Sequence, residues 1–135
     1  MARALVVCAI LTAIITGSAI ALPSPTRADD ALDRPVSLIQ IIANPSSFDQ
    51  KKISVKGYAV LEFESKALYL NELDAKHGVT RNAVWLAVND AIYAQRARFH
   101  RRWVFVEGTF NAAKRGHLGL TSGSIEDISR MEVLD

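Results

Sequence analysis

The chain has 135 residues, 22% of them charged, and a single cysteine, which leaves room for one domain and no cysteine pair for a disulfide framework. Lys and Arg number 16 against 14 Asp and Glu, but Arg3 and Arg27 precede every acidic residue, so the stretch from Asp29 onward is net neutral. A neutral domain has no global field to draw it onto phosphate backbones, which argues against nucleic acid as a partner.

Arg3 supplies a short positive end, and residues 4–20 follow without a charge. Gly17, Ser18 and Ala19-Ile20-Ala21 close the run with small residues, and Thr26-Arg27-Ala28 offers a second cleavage-type pattern before Asp29-Asp30. Basic end, apolar run and small residues are the layout of a secretory signal peptide, here residues 1–28. The alternative is an uncleaved anchor, because the apolar stretch approaches the roughly 20 residues that a spanning helix needs. Cys8 lies inside the apolar run behind bulky Val7, which does not fit a lipoprotein attachment site. The sequence therefore places the mature domain in the periplasm or outside the cell, with membrane contact only if the first segment is retained. Prolines and the Asp29-Asp30 pair mark the stretch that follows, and 29–35 reads as a flexible linker ahead of a domain over 36–135.

Ser37 can cap a short helix carrying Leu38, Ile39, Ile41 and Ile42, and Asn44-Pro45 stops it. From Ile53 the period becomes two. Ile53, Val55, Gly57, Ala59, Leu61 and Phe63 occupy one face, with Ser54, Lys56, Glu62 and Glu64 on the other. Gly57 is the expected site of a bend or bulge in so long a strand. Glu64-Ser65-Lys66 turns the chain into a returning strand, Ala67-Leu68-Tyr69-Leu70. Residues 71–82 are polar and hold a helical turn at 74–77 closed by Gly78. A third strand covers 83–88, and Asn89 or Asp90 caps a second short helix through Ala91, Ile92 and Gln95. Residues 102–110 form the fourth strand. After the basic turn Lys114-Arg115-Gly116, Ile125, Ile128, Met131 and Val133 belong to an irregular final strand.

This order predicts an all-β class, β-rich with two short helices: a five-stranded OB-like Greek-key barrel with a helix between strands three and four. A small open sandwich is the alternative, but it calls for more strands and more regular turns. Asn44-Pro45 through Phe48 and Lys51-Lys52-Ile53-Ser54-Val55-Lys56-Gly57 resemble the lead into the first strand of small exported bacterial OB-fold proteins. Residues 102–110, Ala67-Leu68-Tyr69-Leu70 and Asn82-Ala83-Val84-Trp85-Leu86 are similar to the same group. The resemblance spans 36–134 and implies the fold. It brings no catalytic motif with it, and fold analogy alone licenses no activity.

His77, His100 and His117 are far apart and in no metal-ligand spacing, and no cofactor motif is present. Glu107 stands between apolar strand residues, where pairing with an Arg is the expected role. An enzyme alternative, a small periplasmic one, would use a site near His77 or Glu107 and requires a perturbed titration there. Arg96, Arg98, His100, Arg101 and Arg102 interleave with Tyr93, Phe99 and Trp103, the composition of a single-stranded nucleic-acid surface. The expected compartment and the neutral charge favour a solvated connection instead, with Phe99 and Trp103 in or beside the core. OB barrels bind oligomers across strands two and three and their loops. That rule points to Tyr69, Trp85 and the loop from Lys76 to Arg81, with Tyr58 alongside, as the ligand-binding face. The bland alternative is that helix 38–43 or the N-terminal tail covers these rings. The sequence thus predicts a non-enzymatic binding or interaction module with an unknown ligand or protein partner outside the cytoplasm. A membrane-tethered accessory subunit is the third reading, if the first segment stays.

Overall fold

Inward and outward residues alternate along each strand, and that alternation sorts this chain into a barrel interior and an exterior. The computed structural model describes residues 34–135, so the expected leader and most of the expected linker lie outside the described residues. The strands are β1 (Lys52–Leu61), β2 (Lys66–Tyr69), β3 (Ala83–Leu86), β4 (Arg102–Asn111) and β5 (Ser124–Val133). They close in the order β1-β2-β3-β5-β4, with β3 and β5 parallel and the other pairs antiparallel. Together with helical segments between β3 and β4, this is the five-stranded Greek-key OB arrangement that the order of elements predicts.

Leu68, Val84, Leu86, Val104, Val106, Phe110 and Ile125 point inward and are fully buried. Short helices extend this core near both ends of β1. α1 (Leu38–Ala43) contributes Leu38 and Ile41, and just before it the Val36 N–H donates to Ser54 O at 2.7 Å. The Gln40 side chain accepts from the Ser37 N–H at 3.2 Å, holding the first turn. Asn89 caps α3 (Asp90–Ala94) by accepting from the Ile92 N–H at 2.9 Å. α4 (Arg96–Phe99) then sends Phe99 into the core, and His100 Nδ1 accepts from the Leu61 N–H at 3.1 Å. Between β2 and β3 lies α2 (Glu72–Lys76), at the place of the expected helical turn.

Two local expectations are corrected. Gly57 is no bulge: β1 pairs with β4 in unbroken register from Lys52 to Ala59. Its role is close approach, since a Cβ there would stand 2.7 Å from Leu68 Cγ and 2.9 Å from Tyr69 O. An irregularity does fall in the final strand, as expected: in β5, Glu107 pairs with Arg130 but Thr109 with Glu126. Within the surplus stretch Asp127 takes φ 47 and is exposed, while Ile128 turns into the core. Phe63 does not continue the inner face of β1, because the strand ends at Leu61 and the Glu62 N–H donates to Ser65 O at 2.7 Å to make the turn. The ring is left 83% exposed.

Gly57→Ala is expected to lower stability by roughly 1–3 kcal/mol, the usual cost of overpacking. Urea unfolding measures it, and a loss of only a few tenths would show that Leu68 yields freely.

Candidate functional site

Residues of one outer row meet because β1 has neighbours on both sides. Tyr58 lies opposite Tyr69 on β2 and opposite Trp103 on β4, and Tyr69 in turn lies opposite Ala83 on β3. The rings of Tyr58 and Trp103 meet edge to face, 6.3 Å between centroids. The next row out is Val60, Ala67 and Trp85. Tyr58, Val60, Ala67, Tyr69 and Ala83 form a second apolar cluster on the barrel's outside, distinct from the core.

That cluster is buried by α2, with Ala75 packed against it. Asp74 fixes the helix in place. Its backbone N–H donates to the Asn71 side chain at 2.8 Å, and its carboxylate accepts from the side chains of Asn71 at 3.1 Å and Asn82 at 3.0 Å. Both ends of the 71–82 loop are therefore tied to one residue. Tyr69 faces outward as alternation requires, yet only 4% of it is exposed. The cover is the strand-two-to-three loop itself, and not helix 38–43, which packs into the core.

Beside α2 the surface sinks into a hollow of about 510 Å³, lined by Tyr58, Tyr69, Glu62, Glu72, Lys76 and Arg101 among others. Arg101 takes a left-handed backbone, φ 57, and its guanidinium lies 3.9 Å from Glu62 Oε1. Glu72 and Lys76, four apart on α2, add a second carboxylate and a second cation to the lining. Two carboxylates and two cations thus share one concavity. Burial pushes the Tyr58 phenol up from its ordinary value of 10.0, and the neighbouring Glu72 charge adds to that, with Arg101 and Arg102 opposing. Tyr69 has no hydrogen-bond partner among the described residues. Among the described residues no buried side-chain nitrogen or oxygen is left without a partner.

Of the residues singled out from sequence, Tyr58, Tyr69 and Lys76 come together here, and Arg81 and Trp85 do not. Arg81 sits exposed in the turn before β3, its carbonyl accepting from the Ser122 hydroxyl at 2.7 Å. Trp85 faces a smaller concavity of about 270 Å³ with Arg115 and Glu126. Gly116 presses on its ring so closely that a Cβ would lie 2.5 Å from Trp85 Cε3. Lys114 bonds Glu126 at 2.7 Å and holds that carboxyl below its ordinary range against the effect of burial, with help from Asn111.

The basic run disperses. Arg96 and Lys66 both lie over the Tyr93 ring, at 4.9 and 4.6 Å, while Arg98 lies over Phe99. Phe99 is core, whereas Trp103 is 44% exposed on the outer face. His77 is exposed at the end of α2, and Glu107 lies 3.9 Å from Arg130 on the β4–β5 surface. Among the described residues no group of three or more His, Cys, Asp or Glu gathers to hold a metal. Sequence reasoning missed Glu62, Glu72, Arg101 and Trp103 as neighbours of the tyrosines; only the register of β4 against β1 would have brought Trp103 into view.

No protein-family model matches the chain, and no curated protein matches it. One solved structure with a similar backbone is asparaginyl-tRNA synthetase from Pyrococcus horikoshii, at a TM-score of 0.48 and 15% identity. The alignment covers 76% of this chain and 23% of the synthetase chain, and nothing of the synthetase's activity carries over.

Two outcomes follow from these contacts. Because the Tyr58 phenol ionises later in the fold than in the unfolded chain, its contribution is intact below pH 10.0 and lost as pH rises beyond it. Tyr58→Phe is therefore expected to flatten the alkaline limb of stability against pH, and an unchanged limb would place the effect elsewhere. Trp85→Ala removes the ring on which Gly116 rests, so amide exchange across 113–120 should accelerate while that of β1 stays slow. Equal acceleration in both would mean that Trp85 supports the barrel itself.

Proposed function

We propose that this chain is an exported, non-enzymatic OB-type binding module whose ligand sits in the hollow over Tyr58 and Tyr69. The observation that carries this reading is the hollow itself: a concavity within the roughly 300–1,000 Å³ range of ligand clefts, with convergent polar groups. It opens on the outer surface of β1 and β2, and the β2–β3 surface is where OB barrels take oligomers. Export is supported by the order of basic end, apolar run and small residues in 1–28. The neutral charge from Asp29 onward suits a domain that finds its partner by fit, without long-range steering.

A survey of uncharged drug-like fragments by amide chemical shifts tests this without presupposing a ligand. Hits are expected to converge on Tyr58, Tyr69, Lys76 and Arg101. Shifts scattered evenly over the barrel, or centred on the β4–β5 surface, would remove the assignment.

A further inference from the structure

We propose that the 112–123 loop docks this domain onto an anionic lipid surface, a contact that needs neither the leader nor the hollow. The loop carries Lys114 and Arg115 and no carboxylate. Its apex leaves Leu118 77% and Leu120 46% exposed. Leu118 stands at φ 59 and ψ 12, a left-handed backbone that disfavours leucine and that glycine or asparagine accepts. Strain at a residue that gives the core almost nothing points to a contact made outside the fold.

The base of the loop holds that apex out. The Asn111 side chain accepts from the Ala113 and Lys114 N–H groups at 3.0 and 3.1 Å, and the Thr121 N–H donates to Arg115 O at 3.2 Å. Ser122 then ties the loop to its neighbour, residues 71–82. Its hydroxyl donates to Arg81 O at 2.7 Å and its N–H to Ala83 O at 2.9 Å. Seven large apolar side chains are left exposed among the described residues, and four of them, Leu73, Val79, Leu118 and Leu120, stand on these two joined segments. Exposed apolar surface is therefore gathered where the two loops meet, and single scattered leucines do not account for it. Lys114 is taken up by Glu126, but Arg81 and Arg115 are exposed and form no ion pair among the described residues.

Lipid suits this surface better than a protein does. Neither leucine lines the hollow over the tyrosines or the concavity at Trp85, and the apex offers no aromatic anchor of the kind on which protein interfaces centre. A bilayer takes up a small apolar knob without a matching pocket, and its headgroup phosphates supply the charge that Arg81 and Arg115 lack.

The test places the full chain in small bicelles doped with a nitroxide lipid and follows relaxation of the amides. One set contains phosphatidylglycerol, the other phosphatidylcholine alone. This readout is local, so it reports docking of the loop whether or not the leader enters the lipid. Enhancement is expected to peak at residues 115–120 in the anionic bicelles and to fall as salt is raised. Leu118→Asn fits the left-handed backbone, so its melting temperature should be kept or raised while docking weakens about tenfold, through methylenes withdrawn from lipid. Arg115→Gln should weaken docking about fivefold, the worth of one cation at an anionic surface. Enhancement centred on other residues, equal in both lipids or unaltered in Leu118→Asn overturns the proposal. So does soluble polyglutamate shifting residues 115–120 when bicelles leave them unchanged, which would make the partner an acidic protein. The fragment survey of the hollow is independent of every one of these outcomes.

Discussion

The structure depends on one strand serving two neighbours. β1 pairs with β4 along residues 52–59 and with β2 along residues 58–61, so the sheet closes only if the chain can pass from one partner to the other within a residue or two. Gly57 stands at that passage. Without a Cβ it lets Leu68 fill the inner corner, with no room to spare. Tyr58, the next residue, then faces outward with a strand on either side. Its alignment with Tyr69 and Trp103 is therefore a consequence of closure, and the aromatic row follows from the way the barrel is shut.

An exposed row of this kind would be an adhesive strip, since apolar surface in water favours whatever covers it. Here the covering is local. The 71–82 loop folds back as a helix of five residues, too short to be stable by itself, and depends on Asp74 and on packing against the tyrosines. It hides the faces of the rings and brings Glu72 and Lys76 to their margin. The result is a cavity beside the covered rings with Glu62, Glu72, Lys76 and Arg101 in its wall, so whatever enters meets mainly polar groups. Lid and binding wall are one element, so binding and the stability of the loop are expected to be coupled.

How much of this the sequence disclosed depended on whether the signal was local. Alternation placed Leu68, Val84 and Leu86 inside and Tyr69 and Trp85 outside, and all five are where the period puts them. Element order was enough for the barrel. Alternation is silent about what lies on top of a face, however, so Tyr69 read as exposed while α2 buries it. Phe63 misled in the opposite sense: it keeps the inner period but lies beyond the last paired residue, in a turn. The glycine in β1 was recognised as special but not as a close approach, because a bulge and a close approach call for the same missing Cβ. Which of the two applies is decided by Leu68, eleven positions away. The final strand was read as irregular, and its register against β4 does shift between Glu107 and Thr109, with no glycine at Asp127 to mark the place.

The basic run shows why spacing along a chain is a poor guide to a field in space. Arg96 to Arg102 is dense in cations, yet a helical turn followed by a left-handed residue sends neighbouring side chains in different directions. Arg96 turns to Tyr93, where Lys66 arrives from β2, and Arg101 turns to Glu62. Each points to a ring or a carboxylate in a different place. A strand of nucleic acid would have to draw these cations onto one line, against contacts already made. The same side chains can serve an uncharged ligand where they stand. Ring and carboxylate contacts that look ornamental on the surface thus restrict the chemistry of what this barrel can hold.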